Sequence, residues 1–391
     1  MESKKALPIL FIVMFLVMVG FGIIIPVLPF YAENIGASPT ELGLLMAVYS
    51  IMQFLFAPMW GRISDRIGRK PVIMIGILGL ALSFFLMAIS HHLWMLFLAR
   101  ILGGFLSSAN MPTVMAYVAD ITSEENRGKG MGMIGAATGL GFIFGPAVGG
   151  VFSEIALSLP FYIAGASSLF TFFLVFFILK ESLQVEDRKH TSKRKTPWKE
   201  AFNSPVSLLF FLQLFVSISL AGLEATFAYF AAVKAGLDAV KLGYIFMIMG
   251  LAQAFVQGGL IGKLTKRYGE GPVIQMGIVI SGIGFGLILL SNSFWTAALY
   301  LTVFGVGNGL IRPGVSSLLT KKSSTGHGST TGMLSSFDSL GRIIGPPLGG
   351  WLFSISIGLP YLSGIILSII AIFMFHMYAS KQKNLVIENQ G

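Results

Sequence analysis

Long apolar runs, separated by short polar or turn-rich segments, constrain this chain more than any other feature. Candidate spans lie near 8–30, 40–60, 71–90, 93–118, 130–152 and 158–179. A second set lies near 204–232, 240–262, 272–291, 293–320, 327–354 and 358–379. Each is close to the roughly 20 residues a helix needs to cross the hydrocarbon core. That core offers no water to an unpaired backbone, so spans of this length must be helical. The expected fold class is an all-α membrane protein with twelve transmembrane helices in two pseudo-symmetric six-helix bundles. The expected division is 1–180, a cytoplasmic linker at 181–203 carrying Arg188, Lys189, Lys193, Arg194 and Lys195, and 204–391. Only 11% of the residues are charged, against about a quarter in a soluble domain, so little room is left for a soluble domain. Met1 to Tyr31 has the basic start and apolar run of a signal peptide. Its run is long, however, contains Gly20, Gly22, Pro26 and Pro29 and lacks a small-residue cleavage site, so it reads as a retained first helix.

The net charge of +10 would point to nucleic acid in a soluble protein, but the placement of the cations gives another reason for it. With both termini cytoplasmic, all but five of the 27 Lys and Arg fall on the inner side. Lys234 and Lys241 lie outside, and Arg100, Arg312 and Arg342 fall within spans. This is the positive-inside pattern, so the basic charge sets orientation and implies no nucleic-acid partner. The chain has no cysteine, hence no disulfide or thiolate metal site. His91 and His92 are adjacent, while His190, His327 and His376 are scattered without metal-ligand spacing. No catalytic set emerges, and an enzyme is not expected.

The two sets of spans repeat one another. Gly145-Pro146-Ala147-Val148-Gly149-Gly150 recurs as Gly345-Pro346-Pro347-Leu348-Gly349-Gly350, and Leu159-Pro160-Phe161-Tyr162 is echoed by Leu359-Pro360-Tyr361, both displaced by 200. Gly61, Arg66 and Gly68 match Gly262, Arg267 and Gly269 at a displacement of 201, as Pro112 matches Pro313. Transporters are commonly built from such repeats, with the substrate site at the midplane between them. Within the repeated stretch, Gly141, Gly145 and Gly149 recur every four residues, the small-xxx-small spacing that lets two helices approach closely in lipid.

These motifs, in this order, resemble the major facilitator superfamily and specifically its twelve-helix drug:proton antiporters. Gly61-Arg62-Ile63-Ser64-Asp65-Arg66-Ile67-Gly68-Arg69-Lys70 is similar to that family's signature loop between the second and third spans. By resemblance Gly61, Asp65, Arg66, Gly68, Arg69 and Lys70, with Asp120 as a partner, form a cytoplasmic gate. Leu98 to Gly104 resembles the fourth-span motif, which implies a role for Arg100 in proton coupling. Gly135, Gly139, Gly145, Pro146, Gly149 and Gly150 resemble the fifth-span antiporter motif, and Gly20 to Pro29 is similar to the first span of multidrug and tetracycline exporters. The resemblance implies export of small hydrophobic or cationic drugs across a bacterial cytoplasmic membrane. It further implies a proton gradient as energy source, no cofactor and a monomer in the lipid bilayer.

Ionisable groups inside spans mark pathways, pairs or proton relays by default. Glu224, in the seventh span, has no cation near it in sequence, and an acid matches it in related exporters, so it is expected to take up and release the coupled proton. Asp338 and Arg342 stand four apart, within intrahelical pairing reach. Arg312 and Arg100 need partners, Glu33 being one candidate for Arg100. Two positions depart from the family pattern. Asn308 stands four residues before Arg312, where some relatives carry an acid, and Val17 stands where tetracycline exporters carry one. A substrate cavity is expected to draw on Tyr49, Gln53, Phe142, Gln213, Phe227, Tyr229, Phe230, Gln253, Asn308 and Phe337, soft aromatic and amide groups suited to varied ligands. The readings set against a drug exporter are a carrier for one metabolite, sugar or lipid, and a non-transporting membrane receptor.

Overall fold

The computed structural model describes residues 3–183, 207–322 and 327–388. Most of the expected linker, including Arg188, Lys189, Lys193, Arg194 and Lys195, lies outside them. Every regular element among the described residues is helical. The helices are α1 Ser3–Asn34, α2 Pro39–Ile67, α3 Arg69–Ala88, α4 Leu93–Ser107, α5 Asn110–Ile121, α6 Glu124–Ser153 and α7 Leu159–Ile178. They are followed by α8 Ser207–Ala235, α9 Ala239–Phe255, a π-helical turn at Val256–Leu260, α10 Ile261–Tyr268, α11 Glu270–Ile288, α12 Phe294–Lys322, α13 His327–Ile355 and α14 Leu359–Glu388.

Among the described residues, eleven segments are long and apolar enough to cross a membrane, with α4–α5 and α9–α10 each counting as one. The polar-ended α13 is a further helix of similar length. The fourth span, predicted as one helix over 93–118, is broken at Ser108 and Ala109. Pro112 offers no N–H to the carbonyl four residues earlier, and its ring crowds that turn. Elsewhere the helices overrun the predicted spans at their polar ends, as α6 does by starting at Glu124, because charged residues with long side chains are good helix formers.

The chain divides into two units. The first comprises Met1–Lys193 with Leu237–Met247, and the second comprises Arg194–Gly236 with Ile248–Gly391. The start of α9 is counted with the first unit because a Cβ on Gly150 would lie 2.8 Å from the Ala239 carbonyl.

Each unit is built around one closely apposed helix pair. In the first, α6 lies against α1, and a Cβ on Gly145 would stand 2.6 Å from Gly22 Cα and from the Val19 carbonyl. In the second, α13 lies against α8, and a Cβ on Gly345 would stand 2.5 Å from the Ile218 carbonyl. Backbones this close have no space for larger residues, which accounts for the repeated glycines. Gly135 and Gly139 behave otherwise, because nothing lies within 4 Å of a Cβ placed on either. The antiporter motif therefore divides along the helix, with Gly145, Pro146, Gly149 and Gly150 buried toward its end and Gly135 and Gly139 exposed nearer its start.

Candidate functional site

Four charged side chains in the membrane-spanning part of the second unit form two ion pairs. Asp338, on α13, accepts from three groups: Arg312 Nη2 of α12 at 2.7 Å, Gln213 Nε2 at 2.7 Å and Ser217 Oγ at 2.5 Å, the last two on α8. Arg342, one turn further along α13, meets Glu224 of α8, Nη1 to Oε2, at 3.5 Å. Residues four apart share a helix face, so α13 turns an acid and a base toward its neighbours. The sequence reading of an Asp338–Arg342 pair within the helix is therefore corrected, since both residues are bonded to other helices, Asp338 to α12 and α8 and Arg342 to α8. Glu224, which has no cation near it in sequence, gains one through folding. The contrast between the acids is large: Asp338 has three close donors, and Glu224 has one longer contact.

The expected cavity residues are not gathered around one space. Tyr49, Gln53 and Arg100 form a cluster in the first unit. The Arg100 guanidinium lies 4.3 Å from the Tyr49 ring centroid and donates to the Leu45 carbonyl at 3.3 Å, so a ring face and a carbonyl answer its charge rather than Glu33. The Tyr49 hydroxyl bonds to Ser107 at 2.5 Å and accepts from Gln53 at 3.0 Å. In the second unit Gln213 holds Asp338, and Phe337 stacks on Phe210 with ring centroids 5.5 Å apart. Phe227 and Phe230 are 0% exposed and Tyr229 is buried against Phe353. These rings are packed core in this conformation and present no surface to a ligand. Phe142 is exposed and Gln253 half-buried. Asn308 lines a small cavity of about 20 Å³ together with Ser219, Ser281, Phe304 and Ser368. That space suits about one water molecule and not a drug-sized ligand.

The signature loop of the first unit is a network centred on Arg69. Gly68 is the single residue between α2 and α3, and its φ of 111° is one that side chains rarely adopt. Next to it, buried Arg69 donates to Asp65 at 2.5 Å, to Ser64 at 2.7 Å and to Asp120 at 3.0 Å. This brings together Asp65 and Asp120 as expected, and it adds Ser64. Arg66 is exposed, and a Cβ on Gly61 would meet nothing within 4 Å. Glu181 was missed in the sequence. Its carboxylate accepts from the backbone N–H of Arg69 at 2.7 Å and of Lys70 at 3.1 Å, capping the free amides that open α3.

A second missed pair is Glu270–Lys321, which joins the start of α11 to the end of α12, with Ser317 also donating to Glu270 at 3.2 Å. The repeat displacement of 201, applied to Arg69 and Asp120, lands on these two residues. That signal was available in the sequence, and the charges are reversed.

A two-unit helical membrane protein with paired charges inside its spans is the class that the fold and site define. Comparison gives the family: a model of the Major Facilitator Superfamily matches residues 10–321 and 258–388, and the chain belongs to that superfamily. It is 33% identical to "Multidrug resistance protein 2" of Bacillus subtilis (strain 168) over 389 residues, 98% of this chain and 97% of that protein. It is 30% identical to the "Quinolone resistance protein NorA" of Staphylococcus aureus over 362 residues, 91% of this chain and 92% of that one. Among solved structures, the nucleoside transporter NupG matches with a TM-score of 0.78 at 16% identity, covering 96% of this chain and 98% of the other. The human organic anion transporter MFSD10 matches at 0.68 and 23%, over 96% and 100%. At these identities the structural matches support the fold alone.

Proposed function

We propose that the chain exports small hydrophobic or cationic drugs across the bacterial cytoplasmic membrane in exchange for protons, by alternating access. In this reading it works as a monomer with both termini cytoplasmic, needs no cofactor and draws its energy from the proton gradient. The observation that carries the reading is the half-buried Glu224 carboxylate, held by one cation at 3.5 Å. A group that exchanges a proton during each cycle must be able to lose its partner cheaply. Neutralising Glu224 gives up one long contact, whereas neutralising Asp338 disrupts three close ones, two of them from uncharged donors on α8. Glu224 is therefore assigned as the proton carrier and Asp338 as the fixed counter-charge.

A proton arriving on Glu224 releases Arg342. The freed guanidinium lies one helical turn from Asp338 and competes there with Arg312, so the change of charge on α8 reaches α12 through α13. A cationic drug and a proton compete for the same carboxylate, which couples their opposite movements. The relatives' names support a drug cargo, since they are called multidrug and quinolone resistance proteins.

The test uses everted membrane vesicles loaded by an imposed pH gradient, with a panel of cationic and neutral dyes. The wild type is expected to move cationic dyes with the gradient, and Glu224→Gln to be expressed and folded but inactive. Gradient-driven transport at the wild-type rate by Glu224→Gln would remove that residue from the mechanism. An absence of any dye transport by the wild type would remove the drug reading.

A further inference from the structure

Where α3 begins, the surface of the first unit has a groove of about 360 Å³ between α3 and α7. Met74, Ile75 and Leu78 form one wall, Phe172 and Phe176 the other, and Lys70 with Pro71 closes one end. Positions 70, 74 and 78 follow one another on a helix face, so the groove runs about 12 Å along α3 at 1.5 Å per residue. The Phe172 and Phe176 rings are stacked at 6.4 Å and 12°, giving a flat wall. Phe170, Phe173, Phe176 and Phe177 are all exposed along α7, a density of bare aromatic surface that suits hydrocarbon rather than water.

The closed end is positive. Lys70 Nζ donates to the Phe176 carbonyl at 2.7 Å and lies 5.7 Å from that ring's centroid. An ammonium has three donors, which leaves two. Among the described residues no carboxylate pairs with Lys70 Nζ. Glu181, which meets the Lys70 backbone, spends its oxygens on the backbone amides of Arg69, Lys70, Ser182 and Leu183. Arg66, in the last turn of α2, and Lys180, just beyond α7, are exposed at the same end.

We propose that this groove holds one acyl chain of an anionic phospholipid, with the lipid phosphate at Lys70. Lipid tails are as apolar as the groove, so apolar burial by itself selects nothing. The shape fixes where a chain lies, and the cation chooses the headgroup. The inference is independent of cargo and of proton coupling. A lipid lodged there braces the first turn of α3, the turn that carries Arg69 and its network.

The experiment is native mass spectrometry of the purified full chain released from nanodiscs that mix phosphatidylcholine with phosphatidylglycerol or with phosphatidylethanolamine. The wild type is expected to retain phosphatidylglycerol about fivefold over phosphatidylcholine, the preference corresponding to about 1 kcal/mol per surface cation. Lys70→Gln should lose that preference, Lys70→Arg should keep it, and Leu78→Trp, which fills the groove, should lose retained lipid of every kind. Thermal unfolding checks that each variant is folded. Equal retention of all lipids by the wild type, enrichment of phosphatidylethanolamine instead, or unchanged phosphatidylglycerol in both Lys70→Gln and Leu78→Trp would overturn the proposal.

Discussion

The helix pairs α1–α6 and α8–α13 are built to one plan and differ in what they carry. Gly22 corresponds to Gly222 and Gly145 to Gly345 at the same displacement of 200, and both pairs use these glycines to bring backbones together. At that displacement Gln213, Ser217 and Glu224 of α8 fall on Val13, Val17 and Ile24 of α1, and Asp338 and Arg342 fall on Thr138 and Phe142. One seam is therefore almost wholly apolar, and the other has a ladder of charges and amides. The close packing is common to both and has to serve assembly. Along these two seams the charges occur once, so the proposed proton carrier belongs to the second unit.

The largest expected effect tests that assignment. Glu224→Gln should lose gradient-driven dye transport, and adding Ile24→Glu to it should restore none, because the first seam has no cation at the Phe142 position. Transport by the double variant would mean that either seam can carry the proton. Next comes Asp338→Asn, which keeps the shape but removes the charge that answers Arg312. Loss of a buried charged acceptor costs about 1–3 kcal/mol, readable as an earlier thermal transition, and transport should fall at least about tenfold. If transport survives while stability falls, Asp338 is a structural anchor only and the relay through α13 is wrong.

The other ends of the units repeat the lesson with signs reversed. Arg69 stands between Asp65, Asp120 and Ser64, largely buried, whereas Lys321 is 63% exposed beside Glu270. Removing the buried donor of a part-buried charged network costs about 1–3 kcal/mol; an exposed pair contributes about 0–1 kcal/mol. Arg69→Ala should therefore unfold at a clearly lower temperature, and Lys321→Ala should differ little. In the second unit the double exchange Glu270→Lys with Lys321→Glu should keep stability near the wild type, whereas either exchange alone places like charges together. A large loss from Lys321→Ala would show that the reversed pair is as central as its counterpart.

The spans and most of these charges were legible because the signal is local: a run of about 20 apolar residues, or a charge inside one, can be read without knowing what lies beside it. Pairing is not local. Gln213 and Asp338 are 125 residues apart and Arg69 and Asp120 are 51 apart, so their meeting depends on which helices become neighbours. Sequence spacing favoured Asp338 with Arg342, four apart on one helix, yet the close approach of α8 offered each a better-placed partner. Glu181 was hidden for a related reason, since it caps a helix that begins more than 100 residues earlier. The Glu270–Lys321 pair was legible after all, through the repeat, but only by mapping positions and ignoring the sign of the charge.

The smallest expected effect concerns the motif glycines that pack against nothing. Gly145→Ala forces a Cβ to within 2.6 Å of the α1 backbone, and the seam must open to admit it. Gly139→Ala meets open space and replaces the residue with the greatest unfolded-chain freedom in a helix interior, so stability should hold or rise by about 0.5–1 kcal/mol. Measured side by side in thermal unfolding, the two substitutions should move in opposite directions. Dye transport then separates structure from motion in α6. If Gly139→Ala is at least as stable as the wild type and transports normally, glycine at that position has no task in the cycle. If it is equally stable but transports poorly, the stretch around Gly139 must be met by another helix at some stage of the cycle, and the two ends of the motif on α6 serve different conformations.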